Sequence, residues 1–244
     1  MDKLIELLEM FKPLVGSKQQ SEQTLMQISG YPRRENVYSS LLCFFLDTEK
    51  EHGFRDLFVR SLLECTSQAV TNRKYHTEYV DTECQTEKNN RVDIVFETDT
   101  HVVGIENKID HVVNNNLCDY EAYIEALATE SGKSHICILL TLKENTGAMI
   151  NELFYHITYK TFIKQIKKNL GQYVVSASTK WIVFLNDFIK TLENLQEVQK
   201  MDKELLSFFN DNWEAVESLL DAQIDLDKFL KNKVKKSNGI SFGE

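Results

Sequence analysis

Apolar residues recur at Leu4, Leu7, Leu8 and Phe11. That is helical spacing, and Asp2 stands where a helix N-cap belongs. Pro13 and Gly16 close this helix, and residues 16–23 read as a polar loop. Residues 35–47 read as a buried helix. Residues 54–65 read as an amphipathic one, with Phe54, Leu57, Phe58, Ser61, Leu62 and Cys65 on one side. A turn at Glu51-His52-Gly53 separates the two. The texture then changes. Residues 75–84, 91–97 and 101–109 are rich in β-formers and alternate like strands. Residues 116–129 return to helical spacing. The continuous apolar run 135–142 has the character of a strand buried on both faces. Residues 155–157 suggest one more strand and 159–170 a helix, and from 178 onward every segment reads as helix. The order predicts an α/β fold with a central mixed sheet flanked by helices, plus a C-terminal helical extension.

Alternation assigns faces within 91–109. Val92, Ile94 and Phe96 share one face of the first strand, and Arg91, Asp93, Val95 and Glu97 the other. In the second strand Val103, Ile105 and Ile109 are apolar, and Gly104, Glu106 and Lys108 lie opposite. Bringing the apolar faces together fixes the register, because a one-residue slip turns a strand over. A tight loop at Asp99-Thr100 then opposes Thr98 to His101, Val95 to Gly104, Asp93 to Glu106 and Arg91 to Lys108. Opposed residues have Cβ atoms about 4.5–5.5 Å apart. Asp93 and Glu106 thus form a carboxylate pair, with Lys108 on the same face. Such a pair repels unless a cation or a proton relieves it. Hard oxygen donors suit Mg²⁺, with Mn²⁺ as a substitute, and such an ion can activate water and offset charge on a phosphate. Lys108 would orient the water or neutralise the developing charge, and Gly104 leaves room for a close approach. The plainer alternative is a solvated outer sheet face carrying ordinary charges.

Composition narrows the classes. A formal charge of -9 argues against a protein that coats nucleic acid, though not against one with a local basic surface. No apolar run is long enough to cross a bilayer. Charges interrupt the N-terminal apolar stretch, which makes a poor signal peptide, so a cytoplasmic protein is expected. Cys43, Cys65, Cys84, Cys118 and Cys137 are odd in number and widely spaced, and read as buried thiols. Lys160, Lys164, Lys167 and Lys168 recur at helical spacing, either as a solvated face or as phosphate contacts. Residues 231–236 form a basic tail. The last helices carry apolar stripes, including Leu205, Phe208, Phe209, Trp213, Val216, Leu219 and Leu220. These read as core, with a dimer interface as the second reading.

Several motifs stand in order: Arg34-Glu35-Asn36 with Ser39, Leu46-Asp47, His52-Gly53, Arg91-Val92-Asp93-Ile94, Ile105-Glu106-Asn107-Lys108-Ile109, Asn116-Leu117 with Tyr120, and Ile157-Thr158-Tyr159. In this run the sequence resembles the PD-(D/E)XK nuclease superfamily, in its bacterial branch. The resemblance covers residues 31–170 and implies a restriction-endonuclease-like core there, while the lack of any linker-like stretch predicts one domain of 1–244 with residues 171–244 as its helical extension. It implies that Asp93, Glu106 and Glu35 hold the metal, that Lys108 is the catalytic lysine, and that Glu83 matches a further acidic position. Val92 stands where the family name has proline, and Asn116 where a glutamine is usual. His52 is a candidate general base or a structural turn residue. The expectation is a Mg²⁺-dependent phosphodiesterase acting on nucleic acid, DNA foremost, as an endonuclease in defence against foreign DNA. The alternative is a silent nucleic-acid-binding or interaction protein of the same fold. No membrane partner is expected, and a homo-oligomer is left open.

Overall fold

The computed structural model describes residues 9–12, 22–66, 68, 73–110, 116–143 and 153–237. The chain divides into two compact units, Gln23–Gln196 and Met1–Glu22 with Glu197–Glu244.

The larger unit is built on a five-stranded sheet in the order β1 (Thr77–Gln85), β2 (Arg91–Thr98), β3 (His101–Lys108), β4 (Ser134–Thr141) and β5 (Phe154–Thr158). The first three strands are antiparallel, and β3, β4 and β5 are mutually parallel. Helix α4 (Leu117–Ser131) makes the crossover from β3 to β4. Helices α1 (Leu25–Ile28), α2 (Glu35–Leu46), α3 (Leu57–Leu63) and α5 (Tyr159–Asn169), with the first part of α6 (Thr179–Asp211), belong to the other layer.

The sheet therefore has two cores. Ile94, Phe96, Val103, Ile105, Ile136, Ile138 and Leu140 pack against Tyr38, Leu42, Phe45, Phe58, Phe162 and Phe188. Val95, Val102, Cys137 and Leu139 pack against Leu117, Tyr120 and Ile124 of α4. The continuous apolar run in β4 follows from this, since both of its faces are covered. So does the burial of β3, which is complete along its length. The charged face of the hairpin is no solvated outer face.

Val92 departs from alternation. It packs with the α4 cluster rather than with Ile94 and Phe96. The β2–β3 ladder ends at Ile94–Ile105, and on the other side Glu83, between the pairs Thr82–Ile94 and Cys84–Val92, has φ +56°. With the backbone irregular on both sides of Asp93, strict alternation stops there. The space left by Gly104 is taken by Ile124, whose Cγ1 would lie 2.6 Å from an added Cβ. Helix packing, and not a ligand, makes the close approach.

Other elements fall close to expectation. Thr158 caps α5 by accepting from Thr161 N, and Gly132 ends α4 at φ +67°. The short α1 lies just after the expected loop. Thr24 and Gln27 cap it reciprocally, a signal that four residues of helix are too short to reinforce. The expected boundary near residue 170 is not where the packing changes, because Leu185, Phe188, Ile189, Leu192 and Leu195 of α6 join the main core. Cys84 and Cys137 are buried and Cys118 is exposed, and all five cysteines are free.

In the smaller unit Phe11 packs on Phe208 and Phe209, with ring centroids 5.4 and 6.1 Å away. Most of the expected helix at 2–12 and the loop at 16–23 lie outside the described residues. The stripes expected to be core are only partly so. Phe208 is buried, Leu205, Phe209, Val216 and Leu219 are half-buried, and Trp213 and Leu220 are exposed. Among the described residues, α7 (Trp213–Ser237) keeps several of its apolar side chains exposed. The backbone stays helical through the basic residues 231–236, whose side chains lie outside the described ones.

Gly104→Val would drive a branched side chain into fully buried Ile124. A loss of about 1–3 kcal/mol is expected, read from the denaturant midpoint at unchanged slope. An unchanged midpoint would mean that α4 can shift freely on the sheet.

Candidate active site

The register derived from alternation is the one found, with Val95 opposite Gly104. Asp93 and Glu106 come one step beyond the last pair of the ladder. There the carboxylate of Asp93 replaces a strand carbonyl, and its Oδ2 accepts from the backbone N–H of Asn107 at 2.7 Å. Two residues on, the N–H of Ile109 donates to Glu35 Oε1 at 3.0 Å. Alternate N–H groups point to the same strand edge. The edge that β2 leaves is thus taken over by two carboxylates, on the amides that flank Lys108.

Glu35 is the first residue of α2, where the helix dipole favours a negative charge. Glu106 and Lys108 lie two apart on one face of β3, both buried. Lys108 Nζ stands 2.6 Å from Glu106 Oε1, 3.7 Å from Glu35 Oε2 and 3.9 Å from Asp93 Oδ2. Asp93, Glu106, Lys108 and Glu35 are therefore brought together around one ammonium. Burial pushes the Asp93 carboxyl above its usual range, against the pull of the Asn107 N–H and the Lys108 charge. Burial draws Lys108 down, but the charge and hydrogen bond of Glu106, with Asp93 and Glu35, outweigh it and hold the ammonium above its usual value.

Among the described residues no group of three or more His, Cys, Asp and Glu side chains stands ready to hold a metal ion. The geometry gives the reason, since the carboxylates turn to Lys108. The donor chemistry nevertheless fits a hard divalent cation: all three acidic partners offer oxygen, and Asp93 and Glu35 keep only loose contacts with the ammonium.

Sequence reasoning gave no role to the groups that hold this arrangement in place. Asn107 lies on the opposite, apolar face of β3. Its Nδ2 donates to Ser39 Oγ at 3.1 Å and to the Glu35 carbonyl at 3.3 Å, and its Oδ1 accepts from Tyr159 OH at 2.7 Å. The first turn of α2, and with it Glu35, is tied to the strand that carries Lys108. The available signal was polarity out of place. An asparagine between Ile105 and Ile109 on a buried face must find partners.

Other candidates take structural places. His52 is fully buried, accepts from Phe54 N at 2.9 Å, and lies 3.0 Å from the Asp47 carbonyl. With Nδ1 accepting, Nε2 carries the proton. Burial lowers its pKa, so it is a neutral turn residue. Gly53 follows at φ +71°, where a Cβ would lie 2.3 Å from the Ser176 carbonyl. Asn116 caps α4 by accepting from Asp119 N at 3.3 Å. Glu83 is exposed, pairs with Arg91 at 3.2 Å, and raises the Asp93 carboxyl slightly from outside the cluster. Lys160, Lys164, Lys167 and Lys168 lie on the exposed side of α5, with Lys167 paired to Glu193 at 2.6 Å. Nearer in sequence to the cluster, Arg33 pairs with Asp110 at 2.5 Å, and Lys143 Nζ donates to the Asp110 carbonyl.

The profile of the PD-(D/E)XK nuclease superfamily matches residues 24–190. Among solved structures, the small subunit of the heterodimeric restriction endonuclease R.BspD6I is 11% identical, over 70% of this chain and 98% of that one, with a TM-score of 0.28. That likeness is too slight for the two sites to be compared. No curated protein matches the chain.

Two outcomes follow from the geometry. Tyr159→Phe leaves the buried Asn107 carbonyl oxygen short of a donor, at a cost of about 1–3 kcal/mol in unfolding free energy; unchanged stability would show that the link to α2 is idle. Asp93→Asn keeps an acceptor for the Asn107 N–H and removes a charge whose folded pKa is raised. Such a group adds stability below its unfolded pKa and loses it as pH rises through the folded one. Metal-free Asp93→Asn should therefore melt roughly 2–4 °C above the parent at neutral pH. The gap should narrow on acidification. A lower melting point at neutral pH would count against the buried-charge account.

Proposed function

This chain belongs to the PD-(D/E)XK nuclease superfamily, and we propose that it hydrolyses DNA phosphodiester bonds as a Mg²⁺-dependent endonuclease. The observation that carries this is the setting of Lys108 among Glu106, Glu35 and Asp93, with the last two fixed on the amides either side of the lysine. Asp93, Glu106 and Glu35 would hold the ion, with Mn²⁺ as a substitute. When bound, it supplies an activated water and a positive centre for the phosphate. With the carboxylates holding the ion, Lys108 would be free of them. The ammonium then faces the attacking water and the charge gathering on the phosphate. Asn107, Ser39 and Tyr159 keep Glu35 in place as the partners change. Arg33 and Lys143, both meeting Asp110 two residues after Lys108, supply positive charge beside the site in an otherwise acidic chain. Defence against foreign DNA extends this reading, and its support is the family resemblance alone.

The second reading, a silent nucleic-acid-binding protein, predicts no need for the lysine and three carboxylates to be kept together in a buried place. Plasmid DNA, single-stranded DNA and RNA should be incubated with the protein in Mg²⁺, Mn²⁺ or EDTA, beside Asp93→Asn and Lys108→Ala. Metal-dependent cleavage of DNA should fall by about 10²–10⁴-fold in both variants. Cleavage that survives Lys108→Ala, or that resists EDTA, would sink the proposal. Apart from cleavage, Mg²⁺ should raise the melting temperature of the parent by mass action and that of Glu106→Gln far less.

A further inference from the structure

Helix α7 shows an apolar stripe to solvent. Trp213, Leu220 and Ile224 recur at helical spacing, and Leu226 and Leu230 widen the stripe on one side. With half-buried Val216 and Leu219 they occupy less than half of the helix circumference. Trp213 is 55% exposed and Leu226 56%. Single exposed apolar residues need no explanation, but several on one side of a helix mark an interaction surface; Gln223, Asp227 and Lys231 share that side by helical spacing, and exposed Phe229 lies off it.

The charges of the same helix identify what covers it. Every charged residue from Glu214 to Asp227 is acidic, and every one from Lys228 to Lys236 is basic. Glu217 and Asp221 border the stripe in the first half, and Lys228 borders it on the same flank in the second. We propose that α7 pairs with α7 of a second copy of this chain, running antiparallel. In that direction the acidic half of each helix meets the basic half of the other, whereas a parallel pair would set like charges together. A register that opposes Leu219 to Leu226 also opposes Glu217 to Lys228, so apolar overlap and charge pairing agree in it. The helix is about 37 Å long at 1.5 Å per residue. Covering the stripe on both copies removes roughly 1,000 Å² of apolar surface, before the flanks are counted, which reaches the size of a specific interface. The pairing does not depend on whether the hairpin site cleaves nucleic acid.

Sedimentation velocity of the full chain over a concentration series tests this. A reversible dimer of the 28.4 kDa chain is expected. Leu220→Asp and Leu226→Asp, both at exposed positions, should each weaken association at least about tenfold while the circular dichroism spectrum is unchanged. Glu217→Lys alone and Lys228→Glu alone should each weaken it, because each homodimer then sets like charges at both contacts, and a mixture of the two single variants should restore it, because the heterodimer sets opposite charges at both. The double variant carrying both changes should recover the parent affinity. A monomer at every concentration would overturn the proposal. So would a dimer indifferent to the Leu220 and Leu226 changes, or a double variant that is no better than the singles.

Discussion

Three carboxylates and one ammonium at the end of a hairpin, between two helical layers, are the constraint around which the larger unit is arranged. Buried charge is costly unless it is paired and hydrogen-bonded. Here one carboxylate, Glu106, pairs closely with Lys108. The other two sit on backbone amides. Those amides are available only because β2 stops pairing with β3 at Ile94–Ile105. Had the ladder continued, strand carbonyls would have taken donors on that edge, and Asp93 and Glu35 would have had no anchor there. The premature end of the ladder is thus a requirement of the site and not a frayed strand.

The same strand does two tasks on its two faces. Glu106 and Lys108 point one way, and Asn107 points the other, into the core that holds Tyr38, Phe45 and Phe162. A polar side chain is expensive in such a place without partners. Asn107 has them from two helices: Tyr159 at the start of α5, and Ser39 with the Glu35 carbonyl at the start of α2. Helix starts from both sides of the chain are thereby keyed to one residue of β3. Glu35 reaches the cluster from far away in sequence because the middle residue of the Glu-Asn-Lys triplet fixes its helix.

Much of this was legible in the sequence, and the parts that were not share a cause. The hairpin register followed from a period of two and the demand that apolar faces meet, which are local facts. The strand β4 was legible from its continuous apolar run, also a local fact. The depth of the charged face was not, because alternation cannot distinguish a solvated face from one covered by a distant helix. Ile124 over Gly104 is that covering helix, and no residue of the hairpin announces it. Val92 was misplaced because the positive φ of Glu83 across from Asp93, with the end of the β3 ladder, interrupts the regular sheet on which its face was assigned. The roles of Asn107, Ser39 and Tyr159 are tertiary and needed coordinates. In the last helices, helical spacing correctly gave the stripe but not what lies over it, so Trp213 and Leu220 were taken for core.

The energetics of the cluster point beyond the chain. Burial opposes the ionised form of Asp93, and Lys108 stands among three carboxylates. A fold selected for stability alone would replace Asp93 by a neutral acceptor of the same shape, to which the Asn107 N–H could still donate. The acid that stands there is anchored on the Asn107 amide, as the proposed cation site requires. A cation from solution is the partner that would relieve it. The loose 3.7 and 3.9 Å contacts of Glu35 and Asp93 with Lys108, beside the tight one of Glu106, are what such an exchange of partners requires.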